Sequence, residues 1–168
     1  MLMQCNLVLR RLRYALDLRN HEMIAIFKLA EHEITDEVLR ALLLRDQDDG
    51  FAECSVDQLS YFLDGLILKM RGARETAPDA KPMPRVLAAT NNVVMRKLRI
   101  ALDLREEGLL ELVELGGFKM SKHELSALFR KEGHKHYRAC GDQVLRYFLG
   151  GLTKKRRPDD VVELEDFS

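Results

Sequence analysis

The feature that most constrains how this chain can fold is an internal duplication. Residues 6–19, NLVLRRLRYALDLR, return as residues 92–105, NVVMRKLRIALDLR, and the correspondence runs without a gap to Arg71 and Arg157. About a third of the paired positions are identical at one constant offset, so the fold is two copies of one supersecondary unit. A unit of this length buries only about 60% of its unfolded surface and is marginal alone. The two copies are therefore expected to pack against each other.

Apolar residues recur at helical spacing in both copies, and four helices and no strands are expected in each. Asn6 is read as the N-cap of a first helix with Val8, Leu9, Leu12 and Leu16 on one face. Asn20 is read as the cap of a second, carrying Met23, Ile24 and Phe27, and Thr35 as the start of a third with Val38, Leu39 and Leu42. Ser55 to Gln58 is a capping box ahead of Leu59, Phe62, Leu63 and Leu66. In the second copy Gly116-Gly117 stops a helix, Ser121 to Glu124 is a capping box, and Gly133 and Asp142 flank the last two helices. The expected fold is all-α, two tandem four-helix repeats packed into a compact helical bundle. Residues 1–71 form the first repeat, 72–90 a linker, 91–157 the second repeat and 158–168 an acidic tail. The linker holds Pro78, Pro82 and Pro84, and as a coil it spans about 25 Å, enough to dock one copy beside the other.

Lysine plus arginine equal aspartate plus glutamate at 27 each. That balance argues against strong non-specific nucleic-acid binding, which a basic excess drives. One basic run, Lys154-Lys155-Arg156-Arg157, stands directly before the acidic tail. The longest apolar runs are too short to cross a bilayer, and the N-terminus reaches Arg10, Arg11 and Arg13 without an apolar signal core. Three cysteines without metal spacing point to a reduced, cytoplasmic setting. Cys54 and Cys140 occupy equivalent positions and are read as core residues. His134, His136 and Cys140 match no zinc pattern, and their first-copy equivalents are Asp48, Gly50 and Cys54. No phosphate loop, nucleophile elbow or His-Glu-x-x-His motif is present. No catalytic residue, metal or cofactor is expected.

The first helix carries one polar stripe that the second copy keeps unchanged. Asn6, Arg10, Arg13 and Asp17 return as Asn92, Arg96, Arg99 and Asp103, whereas Glu22, Lys28 and Asp36 become Gly108, Glu114 and Lys122. Three readings fit. The stripe is a solvated face with an N-cap and an Arg13–Asp17 pair one turn apart. Or it is a polar network buried against the other copy. Or the two arginines form a fork for a phosphate or carboxylate. Tyr61, Gly65 and Lys69 also recur, as Tyr147, Gly151 and Lys155. A glycine kept inside a helix predicts close approach of another backbone, from the sister repeat or a partner.

The runs LRRLRYALDL (9–18), MIAIFKLA (23–30) and FLDGL (62–66) resemble the YehS-like family of small bacterial cytoplasmic proteins. The resemblance covers nearly the whole chain apart from the tail. It implies a bacterial source and the two-copy helical architecture, and it brings no catalytic or binding residues with it. Cys5-Asn6 departs from the family's entry pattern, to which Asn91-Asn92 is closer.

These observations favour a non-enzymatic helical interaction protein whose partner is a protein or a second copy of the chain. The alternative is a nucleic-acid-associated protein with a helix-turn-helix from Thr35 or Ser121, contacting nucleic acid through Lys122, Lys154, Lys155, Arg156 and Arg157. A third reading is a small-anion sensor or enzyme built on Arg10 and Arg13 and on Arg96 and Arg99.

Overall fold

The computed structural model describes residues 2–72 and 85–159. The linker interior with its three prolines, and the tail from residue 160, lie outside the described residues. The first repeat contains α1 (Cys5–Ala15), α2 (Asn20–Leu29), α3 (Asp36–Leu43) and α4 (Val56–Arg71). The second contains α5 (Asn91–Ala101), α6 (Glu106–Leu115), α7 (Lys122–Leu128) and α8 (Asp142–Arg156). There is no strand among the described residues, so the molecule is all-α with a tandem repeat.

Local chemistry sets several helix ends. Thr35 Oγ1 accepts from Val38 N (3.2 Å) at the start of α3. Ser55 and Gln58 exchange both capping-box bonds at α4, and Ser121 and Glu124 do so at α7. α6 stops at Leu115 because Gly117 takes a left-handed φ of 108°.

Two expected caps and one expected pair differ. Gln4 occupies the α1 cap, and Asn6 lies inside the helix and fully buried, because its amide has partners in its own repeat. Arg19 occupies the α2 cap; Glu22 Oε2 accepts from its N–H (2.7 Å), while Asn20 Nδ2 donates to Asp36 (3.2 Å). Asp17 lies past the end of α1 with φ of 51°, so it is not placed one helical turn above Arg13. Leu18 N there reaches back to Arg13 O (2.9 Å), and Asp103 repeats the turn with φ of 52°. A short polar side chain is among the few that tolerate this conformation, which explains why Asp stands at both sites.

Within each repeat the second and fourth helices pack together, α2 on α4 and α6 on α8. Glycine makes this possible. A Cβ on Gly65 would stand 1.8 Å from Ile26 O, and one on Gly151 would stand 1.6 Å from Leu112 O. The backbone that approaches these glycines is therefore in their own repeat, neither the sister repeat nor a partner. The repeats then meet reciprocally, α1 on α8 and α5 on α4, as across an approximate two-fold axis. Phe27, Phe62 and Phe148 sit in the one core that results, with Leu9, Leu12, Met95 and Leu98 from the first helices.

Polar pairs at that seam follow the same reciprocity. Arg71 at the end of α4 meets Asp103 (2.7 Å), and Arg157 after α8 meets Asp17 (3.8 Å). Lys97, buried, pairs with Asp64 of the first repeat, and Arg85 also reaches Asp64 (3.1 Å). Here the symmetry fails: Asp64 corresponds to Gly150, so Arg11, which corresponds to Lys97, meets a different environment. Burial, then the charges of Arg146 and Arg10, lower the Arg11 pKa to about 10.

Candidate functional site

The repeated stripe divides by burial. Asn6 is an internal bracket: Nδ2 donates to Leu42 O (2.9 Å) and Ala52 O (2.8 Å), and Oδ1 accepts from Cys54 N (2.9 Å). Asn92 repeats the bracket with Leu128 O (2.9 Å), Arg138 O (2.9 Å) and Cys140 N (2.9 Å). An amide is the smallest side chain that can both donate twice and accept, and the position uses both donors and one of the two acceptor lone pairs. Each asparagine thereby ties the first helix to both ends of the loop between the third and fourth helices of its own repeat.

The arginines of the stripe do not converge. Arg10 Nη1 donates to Leu44 O (2.8 Å), and burial, then Arg45, lower its pKa. Arg13 is exposed and Arg96 is half-buried. Arg99 lies over the Phe129 ring (4.9 Å) and bonds Leu104 O (3.3 Å). Asp17 and Asp103 face the repeat seam, as described above.

The basic residues read as candidate nucleic-acid contacts are also spread between the two ends of α6. Lys122 lies beside Glu106 (3.6 Å) at the start of α6. At the other end of that helix Lys154 donates to Leu115 O (3.1 Å), and Lys155 pairs with Glu111 (3.0 Å). Arg157 covers the Tyr14 ring (4.0 Å) and donates to Tyr14 O (3.1 Å), while Arg156 is exposed. Tyr61 is sandwiched between His32 (4.3 Å, parallel) and the Arg85 guanidinium (3.4 Å). In the second repeat Tyr147 stacks on Phe118 (5.3 Å).

The cysteines are free, buried thiols. Cys140 is pushed up to about 12 by burial, then by Asp142. The Cys54 thiol donates to Ser55 O (3.6 Å); the neighbouring Cys54 lowers the Cys5 pKa, and Cys5, then burial, raise that of Cys54. His134 and His136 are neighbours (5.6 Å between rings), and no group of three or more metal-binding side chains occurs among the described residues.

What the asparagine brackets hold is the most distinctive surface of the molecule. The two loops share one backbone. In the first, Asp48 N bonds Arg45 O (2.9 Å), Phe51 N bonds Asp48 O (3.2 Å) and Ala52 N bonds Ala41 O (3.1 Å). In the second, His134 N bonds Lys131 O (2.9 Å), Tyr137 N bonds His134 O (2.8 Å) and Arg138 N bonds Ala127 O (3.1 Å). These are the same three bonds at equivalent positions. Their charges are opposite. Arg45 stands against Asp46, Asp48, Asp49 and Glu53 in the first loop, and Arg130, Lys131, Lys135 and Arg138 against Glu132 in the second. Nearly all of these residues are exposed. The shift from acidic to basic was visible in the sequence, as Asp49 against Lys135 and neutral Ala52 against Arg138. That both sets ride on one clamped frame was not, because the bracket joins residues far apart in the chain.

The duplicated four-helix unit that carries these loops is a known one. Residues 5–72 and 91–157 each match the family described as "Protein of unknown function (DUF1456)", and the chain belongs to that family. It is 39% identical over 154 residues to the uncharacterized protein YehS of Escherichia coli (strain K12), covering 92% of this chain and 97% of that protein. No solved structure matches. No helix among the described residues is long and apolar enough to cross a membrane.

Proposed function

We propose that this is a non-catalytic interaction protein, with residues 1–71 and 91–157 as its two halves, that docks on other copies of itself through the bracketed loops. The observation that carries this reading is the single loop backbone decorated with acids in one repeat and bases in the other. Equivalent surfaces of opposite sign are complementary, and contact between the acidic loop of one copy and the basic loop of another is head-to-tail. The setting we propose is the bacterial cytoplasm, in keeping with the Escherichia coli relative and three free thiols.

Light scattering across ionic strength tests the reading. Exposed charge pairs are screened by salt, so the chain is expected to self-associate at low salt and dissociate at high salt. A variant with Asp48→Lys and Asp49→Lys, and another with Lys135→Glu and Arg138→Glu, each carry two loops of one sign. Each is expected to be monomeric alone and to associate when mixed. A mixture that stays monomeric overturns the reading.

A second reading, nucleic-acid binding, now draws support from the basic second loop more than from Lys154 to Arg157, three of which have intramolecular partners. Oligonucleotide anisotropy across salt tests it. Binding that weakens steeply with salt and is lost on charge reversal at Lys135 and Arg138 favours it, and no binding at low salt removes it.

A further inference from the structure

We infer that the cavity between α7 and the second bracketed loop is a binding site for a phosphate-class oxyanion. Its volume is about 210 Å³, and its lining includes His123, Glu124, Lys135, His136, Tyr137 and Arg138.

 A separate cleft of about 410 Å³ lies beside Asp17, Arg156 and Arg157, where Asp17 and Arg157 are paired at the repeat seam. The smaller cavity lies below the roughly 300–1,000 Å³ of pockets for drug-sized ligands, which suits a single anionic group.

The lining is made of donors. Lys135 offers an ammonium and Arg138 a planar guanidinium, the group that matches phosphate oxygens two at a time. Tyr137 adds a phenol, and His123 and His136 add ring N–H groups. Glu124, the one acid, is held at the α7 cap by the N–H of Ser121 (2.8 Å). The frame is rigid on both sides of Arg138: its N–H bonds Ala127 O (3.1 Å), and its carbonyl accepts from Asn92 (2.9 Å).

The first repeat supplies the contrast. On the same backbone, His123, Lys135, His136, Tyr137 and Arg138 correspond to Glu37, Asp49, Gly50, Phe51 and Ala52. Every donor is replaced by an acid or by a residue whose side chain cannot donate. One chain thus holds the site and its own negative control.

The test is a titration of the full chain with inorganic phosphate, followed by amide NMR, at a concentration where light scattering reports a monomer. Failure of this site is then distinct from failure of self-association. Saturable shifts are expected at residues 123–138 and none at 37–52. Lys135→Ala and Arg138→Ala should each raise Kd at least roughly tenfold, as loss of a charge-assisted contact does. Both side chains are exposed, and well-dispersed spectra will show that the variants fold. Shifts that do not saturate, that spread over both repeats, or that persist in both variants overturn the site. Two further arms identify the source of the phosphate. Tighter binding of phosphoserine than of a short single-stranded oligonucleotide assigns a phosphomonoester, and the reverse, with a steep salt dependence, assigns a nucleic-acid backbone.

Discussion

At the residue scale, the repeated stripe is two kinds of position that a helical wheel superimposes. Asn6 and Asn92 are buried and make three hydrogen bonds each, whereas Arg13 is exposed. Replacing Asn92 by Ala removes two donated bonds and one accepted bond, leaving the carbonyls of Leu128 and Arg138 and the N–H of Cys140 without that partner. Each buried group left unsatisfied costs about 1–3 kcal/mol, so Asn92→Ala should cost roughly 3 kcal/mol or more. Arg13→Ala should cost under about 0.5 kcal/mol. Urea unfolding of the two variants measures the difference. Equal effects would mean that the brackets contribute nothing beyond a surface position.

At the element scale, the fold depends on how closely paired helices approach. The fourth helix of each repeat keeps a glycine where the second helix presents a carbonyl, and that contact sets the spacing of the pair. Gly151→Ala forces α6 and α8 apart and should destabilise by about 3 kcal/mol, in the range of overpacked cores. Gly108→Ala is the counterpart. Its Cβ would meet only the mobile end of Leu104 at 3.4 Å, and removing a helical glycine should stabilise by about 0.5 kcal/mol. Thermal unfolding followed by circular dichroism should show Tm falling for the first and rising slightly for the second.

At the scale of the whole molecule, the repeats are two halves of one core. α1 is covered by α8 and α5 by α4, so separating the repeats exposes the apolar faces of both first helices. The buried Lys97 would also lose Asp64. Residues 1–71 and 91–157 produced separately are expected to show little helix alone, and to recover helicity when mixed. Circular dichroism of each fragment and of the mixture measures this. Native-like helicity in either fragment alone would show that the seam is not needed for folding.

The amino-acid sequence by itself determined the duplication, the eight helices and several of their ends, because those follow from local periodicity and from capping residues within four positions of each other. Thr35, Ser55, Ser121 and Gly117 act as their local chemistry dictates. Tertiary structure decided the rest. Asn6 has the character of a cap, yet it becomes a bracket because Leu42, Ala52 and Cys54 fold back to it from distant positions. Asp17 has the spacing of a helical ion-pair partner, yet it ends the helix and meets Arg157 from the other repeat. The charges of the two loops are written in the chain, but the common frame that makes them comparable surfaces is held by contacts between residues far apart in sequence. Such contacts carry no periodic signature, and only the folded backbone brings their partners within hydrogen-bonding distance.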